Sequence, residues 1–190
     1  MRKIISIFAF AAVAFLLGSC DTETNEKPGG TAIQDMCGTW TITITESVDE
    51  FNYFYGDGFE DPEVDEMSPA QLDGIEWEDF YDTGITICRT FNTASNTTDK
   101  MWFLDSEFWG AQILCDVNYG ELTFKSDSYV PYEDCEASII GGKILKNAAK
   151  TAHGAPVDSI IAYVRYSDTE DFTTFKFSGK RYTGFPEDEQ

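Results

Sequence analysis

Residues 38–47 alternate with a strict period of two. Trp40, Ile42 and Ile44 fall on one side and Thr39, Thr41, Thr43 and Thr45 on the other. This is the pattern of a β-strand with one buried face, because a helix would spread the same residues around its circumference. Comparable runs predict strands at 84–92, 100–105, 111–117, 121–125, 128–133, 137–140, 143–146, 159–166 and 172–182. Parity groups Ile85, Ile87 and Phe91 on the inner face of the second run, and Phe175 and Phe177 on that of the last. Gly141-Gly142 is a hairpin-type dipeptide and predicts a turn between two of these strands. No βαβ spacing and no internal repeat interrupts the series. The expectation is an all-β, antiparallel barrel of about eight strands. Trp40, Ile42, Ile44, Ile85, Ile87, Phe175 and Phe177 are its predicted core. They are equally the predicted lining of a ligand cavity, since a barrel of this size is filled by its own side chains or holds one small ligand.

One segment breaks the rhythm. Residues 46–83 form an acidic insertion, and 46–82 hold 14 Asp and Glu with no Lys or Arg. Ser68-Pro69 is a good N-cap and first-turn pair, which predicts a short helix over 70–81. Asp61, Glu63 and Asp65 alternate as oxygen ligands would, but an EF-hand loop needs Gly next and Glu at its twelfth position, where Glu66 and Leu72 stand. An irregular calcium site and a solvated acidic face are the two readings left. The whole chain carries 13 Lys and Arg against 34 Asp and Glu, a net charge of −21. That excludes the basic stripe a nucleic-acid partner requires. No cofactor is expected.

The N-terminus reads as an address. Arg2 and Lys3 precede a run from 4 to 17 that is apolar except for Ser6, too short to span a bilayer and suited to a signal peptide. Leu17-Gly18-Ser19-Cys20 resembles a bacterial lipobox, which makes 1–19 a lipoprotein signal and Cys20 the lipidated residue, the chain's link to the membrane. Residues 20–34 read as a flexible tether, 35–186 as the barrel domain and 187–190 as an acidic tail. Cys37, Cys88, Cys115 and Cys135 remain, an even number that permits two disulfides in three pairings, or four buried thiols.

Catalytic motifs are sparse. The single histidine is His153, so a Ser–His–Asp hydrolase would have to use it with Ser159 and Asp158. There is no G-x-S-x-G turn and no H-E-x-x-H. Gly38-Thr39-Trp40 is more informative, for it resembles the G-x-W opening of lipocalins and other calycins. In those barrels the indole closes one end and a cation from the last strand lies over it. Arg181 shares parity with Phe175 and Phe177 and is the expected partner of Trp40.

A wider resemblance includes this motif. The opening from Gly29 to Trp40, the middle segments Thr90-Phe91-Asn92 and Met101-Trp102-Phe103, and the later segments Gly142 to Lys146, Pro156 to Ile160 and Gly179 to Phe185 are similar to a Bacteroidetes lipoprotein family labelled lipid-binding putative hydrolase. The resemblance implies a calycin-like barrel and a lipid or other apolar small-molecule ligand. It also implies an outer-membrane lipoprotein, at the periplasmic face or, as Asp21, Glu23 and Glu26 behind the anchor suggest, at the cell surface. The two other functions carried forward are an esterase-type hydrolase using His153, and a non-catalytic accessory subunit that meets an envelope partner through the acidic insertion.

Overall fold

The computed structural model describes residues 30–47, 68–80, 85–126, 130–132, 135–166 and 174–189, with the backbone alone at 130–132, 135 and 189. Residues 1–19, Cys20, most of the tether, the calcium candidates Asp61, Glu63 and Asp65, and the Cys135 side chain lie outside the described residues.

Ten strands form one sheet: β1 (Gly38–Ser47), β2 (Trp77–Asp79), β3 (Thr86–Asn92), β4 (Lys100–Asp105), β5 (Gln112–Asn118), β6 (Thr123–Lys125), β7 (Val130–Tyr132), β8 (Cys135–Lys150), β9 (Pro156–Tyr166) and β10 (Thr174–Arg181). Eight of them close a ring in the order β1-β3-β4-β5-β6-β8-β9-β10, and β10 pairs back onto β1. Every pairing is antiparallel, so the ring is a calycin-like barrel without a free edge. The short strands β2 and β7 extend the sheet as side branches on β1 and β8.

Register sets the inner face. Opposed pairs Trp40–Cys88, Phe103–Ile113, Ile144–Ile160 and Ile44–Phe177 all point inward and are buried. In β3 the register corrects the parity expected for Ile85 and Ile87. Thr86, Cys88 and Thr90 face the core, while Ile85 is 62% exposed and Ile87 and Phe91 lie on the outer side. The physical reason is space: Trp40 and Phe103 fill the interior beside β3, which leaves room there only for small residues.

Two further expectations are corrected. Residues 70–81 are not one helix. A single turn, α1 (Pro69–Leu72), is followed by a turn through Asp73 and Gly74 and then by β2. Gln71 Oε1 accepts from both the amide and the hydroxyl of Ser68, so the start signal is real. Gly74 is poor helix material, and Trp77 gains a stack on Tyr163 (5.6 Å) and backbone pairing with Ser47. Nor is there a hairpin at Gly141-Gly142, because β8 runs through it with a bulge between Ile139 and Gly141. Gly142 is there for close approach: a Cβ would overlap the ring of Phe124 on the facing strand.

Candidate functional site

Both barrel ends are closed from within. At the first end, Arg181 stands directly opposite Trp40 and its guanidinium carbon lies 4.4 Å from the indole centroid. The glycine of the G-x-W motif makes this fit, since a Cβ on Gly38 would strike the guanidinium. Arg181 also donates to the carbonyl oxygens of Cys37 and Asp35, pinning a 3-10 turn (Gln34–Met36) whose Met36, like the preceding Ile33, is wholly buried. Trp40 Nε1 donates to Thr90 Oγ1 at 2.8 Å, and Thr90 donates in turn to the Met36 carbonyl. An ion network surrounds this seal. Lys146 bridges Asp35 (3.0 Å) and Asp158 (2.9 Å), and Arg181 lies 3.3 Å from Asp158. Burial opposes the charge on Asp158, but Lys146, the Asn147 amide and Arg181 outweigh it and hold its pKa below the ordinary carboxylate value. The bond from Lys146, then that from Tyr119, lowers Asp35 likewise.

At the other end the closure is aromatic. Phe80, Phe108, Trp109, Tyr166 and Phe175 pack mostly edge to face, with ring centroids 4.3–5.9 Å apart. Phe108 and Trp109 come from the β4–β5 turn, and one buried carboxylate orders that turn. Asp105 accepts from the amides of Glu107 (3.3 Å), Phe108 (2.8 Å) and Trp109 (2.6 Å) and from the Tyr166 hydroxyl (3.0 Å). From Phe108 the rings continue inward through Phe177 and Phe103 to Phe124. Trp40, Ile42, Ile44, Phe175 and Phe177 are therefore packed side chains, each no more than 2% exposed.

A cavity on the described residues lies on the wall. A cleft of about 710 Å³ is lined by Pro69 and Asp73 of the α1 segment and by the β5–β6–β8–β9 surface. Its apolar side is Pro69, Ile140, Leu145, Ile161 and Tyr163, and Lys125 and Lys143 stand at its exposed edge. Tyr163 and Leu72 nucleate a satellite cluster outside the barrel with Ile75, Trp77, Ile140 and Ile161. The Tyr163 hydroxyl donates to Asp73, tying α1 down, and burial with that bond raises its pKa. Beneath the cleft β6 meets β8 through the pairs Thr123–Lys143 and Phe124–Gly142, and the Ile144 amide donates to the Leu122 carbonyl and the Ser126 amide to that of Ile139. The sequence reading missed this cleft because it depends on α1 folding back over the strands. The available signal was the Ser68-Pro69 helix start followed by Leu72, Ile75 and Trp77.

The hydrolase residues do not assemble. His153 is exposed and its Nδ1 lies 3.1 Å from Asp188. Asp158 is committed to Lys146, Asn147 and Arg181, and Ser159 pairs in the sheet opposite Leu145 and Lys180. Among the described residues no hydrogen bond joins His153 to Ser159 or Asp158. Cys37, Cys88 and Cys115 are free thiols, so no disulfide links any two of them. Cys88 and Cys115 are buried in the core as small apolar residues, and burial pushes both pKa values up. No cluster of His, Cys, Asp and Glu suited to a metal is found among the described residues.

No curated protein matches the chain. A family model described as lipid-binding putative hydrolase matches residues 25–186, which takes in the whole described barrel, and the chain belongs to that family. Family and fold together support lipid binding.

Proposed function

We propose that the protein is a lipid-anchored envelope protein that holds the apolar part of a lipid in the wall cleft rather than in the barrel lumen. One observation carries the placement. The lumen is threaded by packed rings from Trp109 to Phe124, whereas the cleft offers about 710 Å³ with a largely aliphatic side. That volume is within the usual range of small-molecule sites, about 300–1,000 Å³. The anchor rests on Leu17-Gly18-Ser19-Cys20, and a chain of net charge −21 needs such an anchor, since anionic headgroups repel it. The family resemblance favours outer-membrane placement, and Asp21, Glu23 and Glu26 behind the anchor favour the cell surface. Non-catalytic binding suits the separation of His153 from Ser159 and Asp158.

The test is native mass spectrometry of the full chain purified from an envelope-expressing host, with organic extraction of whatever is retained without a covalent bond. The expected result is one lipid per protein, lost in Thr123→Trp, which places an indole in the cleft on the outward side of β6. Retention of the lipid in Thr123→Trp and in a second cleft-filling variant, Asn118→Trp, would overturn the wall site. Absence of labelling by a clickable fatty acid at Cys20 would overturn the anchor.

A further inference from the structure

The charge of the chain is not spread evenly over its surface. It has 34 acidic residues against 13 basic ones, yet the outward positions of β3, β4 and β5 hold one carboxylate, Asp116, which is ion-paired with Lys100 directly opposite. Arg89, in the middle of β3, is exposed and has no ion-pair partner among the described residues. With Lys100 and Asp116 cancelling, this face is net positive on a molecule of net charge −21. Asp99 and Glu107 stand in the turns at either end of β4, off the strands. On the neighbouring β1 the outward residues are uncharged, with Thr39 opposite Arg89 and Thr41 opposite Ile87.

The same face is apolar in a row. Register sets Phe91 opposite Trp102 and Trp102 opposite Leu114, which lays large side chains straight across β3, β4 and β5. In the adjoining row Leu104 stands opposite Arg89. Phe91 is 37% exposed, and Trp102, Leu104 and Leu114 are half-buried and belong to neither hydrophobic cluster. They point outward because their strand neighbours Thr90, Met101, Phe103 and Ile113 point into the core. Surface tryptophan suits the headgroup level of a bilayer, where its apolar body and polar N–H are both accommodated. An arginine beside it adds attraction to anionic headgroups. A second copy is the poorer occupant, since an isologous contact centred on this row would bring the two Arg89 side chains together.

We infer that the outer face of β3, β4 and β5 docks on a lipid bilayer bearing anionic headgroups. Phe91, Trp102 and Leu114 enter the interface and Arg89 meets the headgroups. This goes beyond the wall-cleft reading and is independent of it, for none of these residues lines the cleft.

The full chain, purified from an envelope-expressing host, is mixed with vesicles whose acyl chains are brominated, which quenches any tryptophan that reaches them. Trp102 is isolated by difference against Trp102→Phe. In mixed phosphatidylcholine–phosphatidylglycerol vesicles part of the emission should be quenched, and Trp102→Phe should lose that part. Phe91→Glu/Leu114→Glu should cut the Trp102 quenching about fivefold. Arg89→Glu should cut it about twofold, an effect absent in phosphatidylcholine alone and at high salt. These positions lie on the outer face, and a thermal melt checks that the barrel is intact. Unquenched Trp102, with the protein on the vesicles or off them, overturns the inference. So does quenching that the double substitution, or Arg89→Glu in the anionic vesicles, leaves unchanged in a folded protein. A lipid-free dimer that Phe91→Glu/Leu114→Glu dissociates assigns the face to a second copy and overturns it too. Lipid retention in the wall cleft is read separately by native mass spectrometry, so the failure of either reading leaves the other standing.

Discussion

The two ends of the barrel are sealed by different physics. One uses long polar side chains that reach across the end: Arg181 to two backbone carbonyls, Trp40 to Thr90, and Lys146 between Asp35 and Asp158. The other uses five aromatic rings, of whose residues Phe108, Trp109 and Tyr166 are bonded to a single buried carboxylate, Asp105. Directional bonds fix a lid geometrically and share the load among several partners. Aromatic packing fills volume, and here its alignment depends on one residue. With both ends occupied by the chain's own groups, the described part of the lumen is packed core, and the proposed lipid site is placed on the wall instead.

The largest effect expected from this comparison is at the aromatic end. Asp105→Ala would leave three backbone N–H groups and the Tyr166 hydroxyl without their acceptor in a buried site. Each orphaned donor costs about 1–3 kcal/mol, and partial recovery by water leaves an expected loss of about 3–5 kcal/mol in urea unfolding. Trp109 fluorescence should shift to the red as the turn loosens. A loss below about 1 kcal/mol would show that the rings hold themselves and that the carboxylate is incidental.

The polar end should lose less from any single change. Arg181→Ala removes two bonds to carbonyls, the cation–π contact and one member of the ion network, for an expected cost of about 2–3 kcal/mol. Arg181→Lys should recover less than half of it, because an ammonium cannot cover the indole and span the carbonyls of Asp35 and Cys37 together. Full recovery would reduce the seal to simple charge.

Smaller again is Asp158→Asn, at about 1 kcal/mol or roughly 2–4 °C in Tm at neutral pH. The sign with pH follows from the lowered pKa of Asp158. A depressed carboxylate contributes its stability above its unfolded value of about 3.9 and loses it as pH falls through the lower folded value. The difference between wild type and variant should therefore persist from neutrality down to about pH 4 and vanish in stronger acid. Lys146, whose pKa the Asp158 and Asp35 bonds raise, contributes fully while those carboxylates are ionised and releases its share only above the ordinary lysine range. A gap that widens on acidification would contradict the network.

The two ends also differ in how far the sequence disclosed them. The polar end was legible, because Gly38-x-Trp40 resembles the G-x-W opening of calycins and the parity of Arg181 puts it on the same face as Phe175 and Phe177. The barrel class was legible for the same reason. The aromatic end was not. Asp105 reads as an ordinary acidic residue closing a strand, and only tertiary folding reveals that its carboxylate collects four donors. The wall cleft was hidden similarly, since it needs α1 to fold back onto β8 and β9. Gly141-Gly142 misled because a glycine pair signals a turn and also a close approach, and Phe124 decides between them from the neighbouring strand.

The smallest expected effect tests where the aromatic end stops. Ile85 immediately precedes β3, one residue before Thr86, whose hydroxyl donates to Glu107 in the Asp105 turn at 2.9 Å. By composition Ile85 belongs with the buried rings, yet it is 62% exposed and lines only a shallow outer depression with Thr41, Thr43 and Ser178. Its apolar area is mostly in water in the folded and unfolded states alike, so removing it forfeits little transfer energy. Ile85→Ser should change stability by no more than about 0.5 kcal/mol and leave lipid binding unchanged. Thr86→Val, a near-isosteric change facing inward, should cost more, because it removes the donor to Glu107 beneath the plug. If the order were reversed, β3 would be presenting its odd-numbered face to the core, and the seal would extend one strand further than its rings.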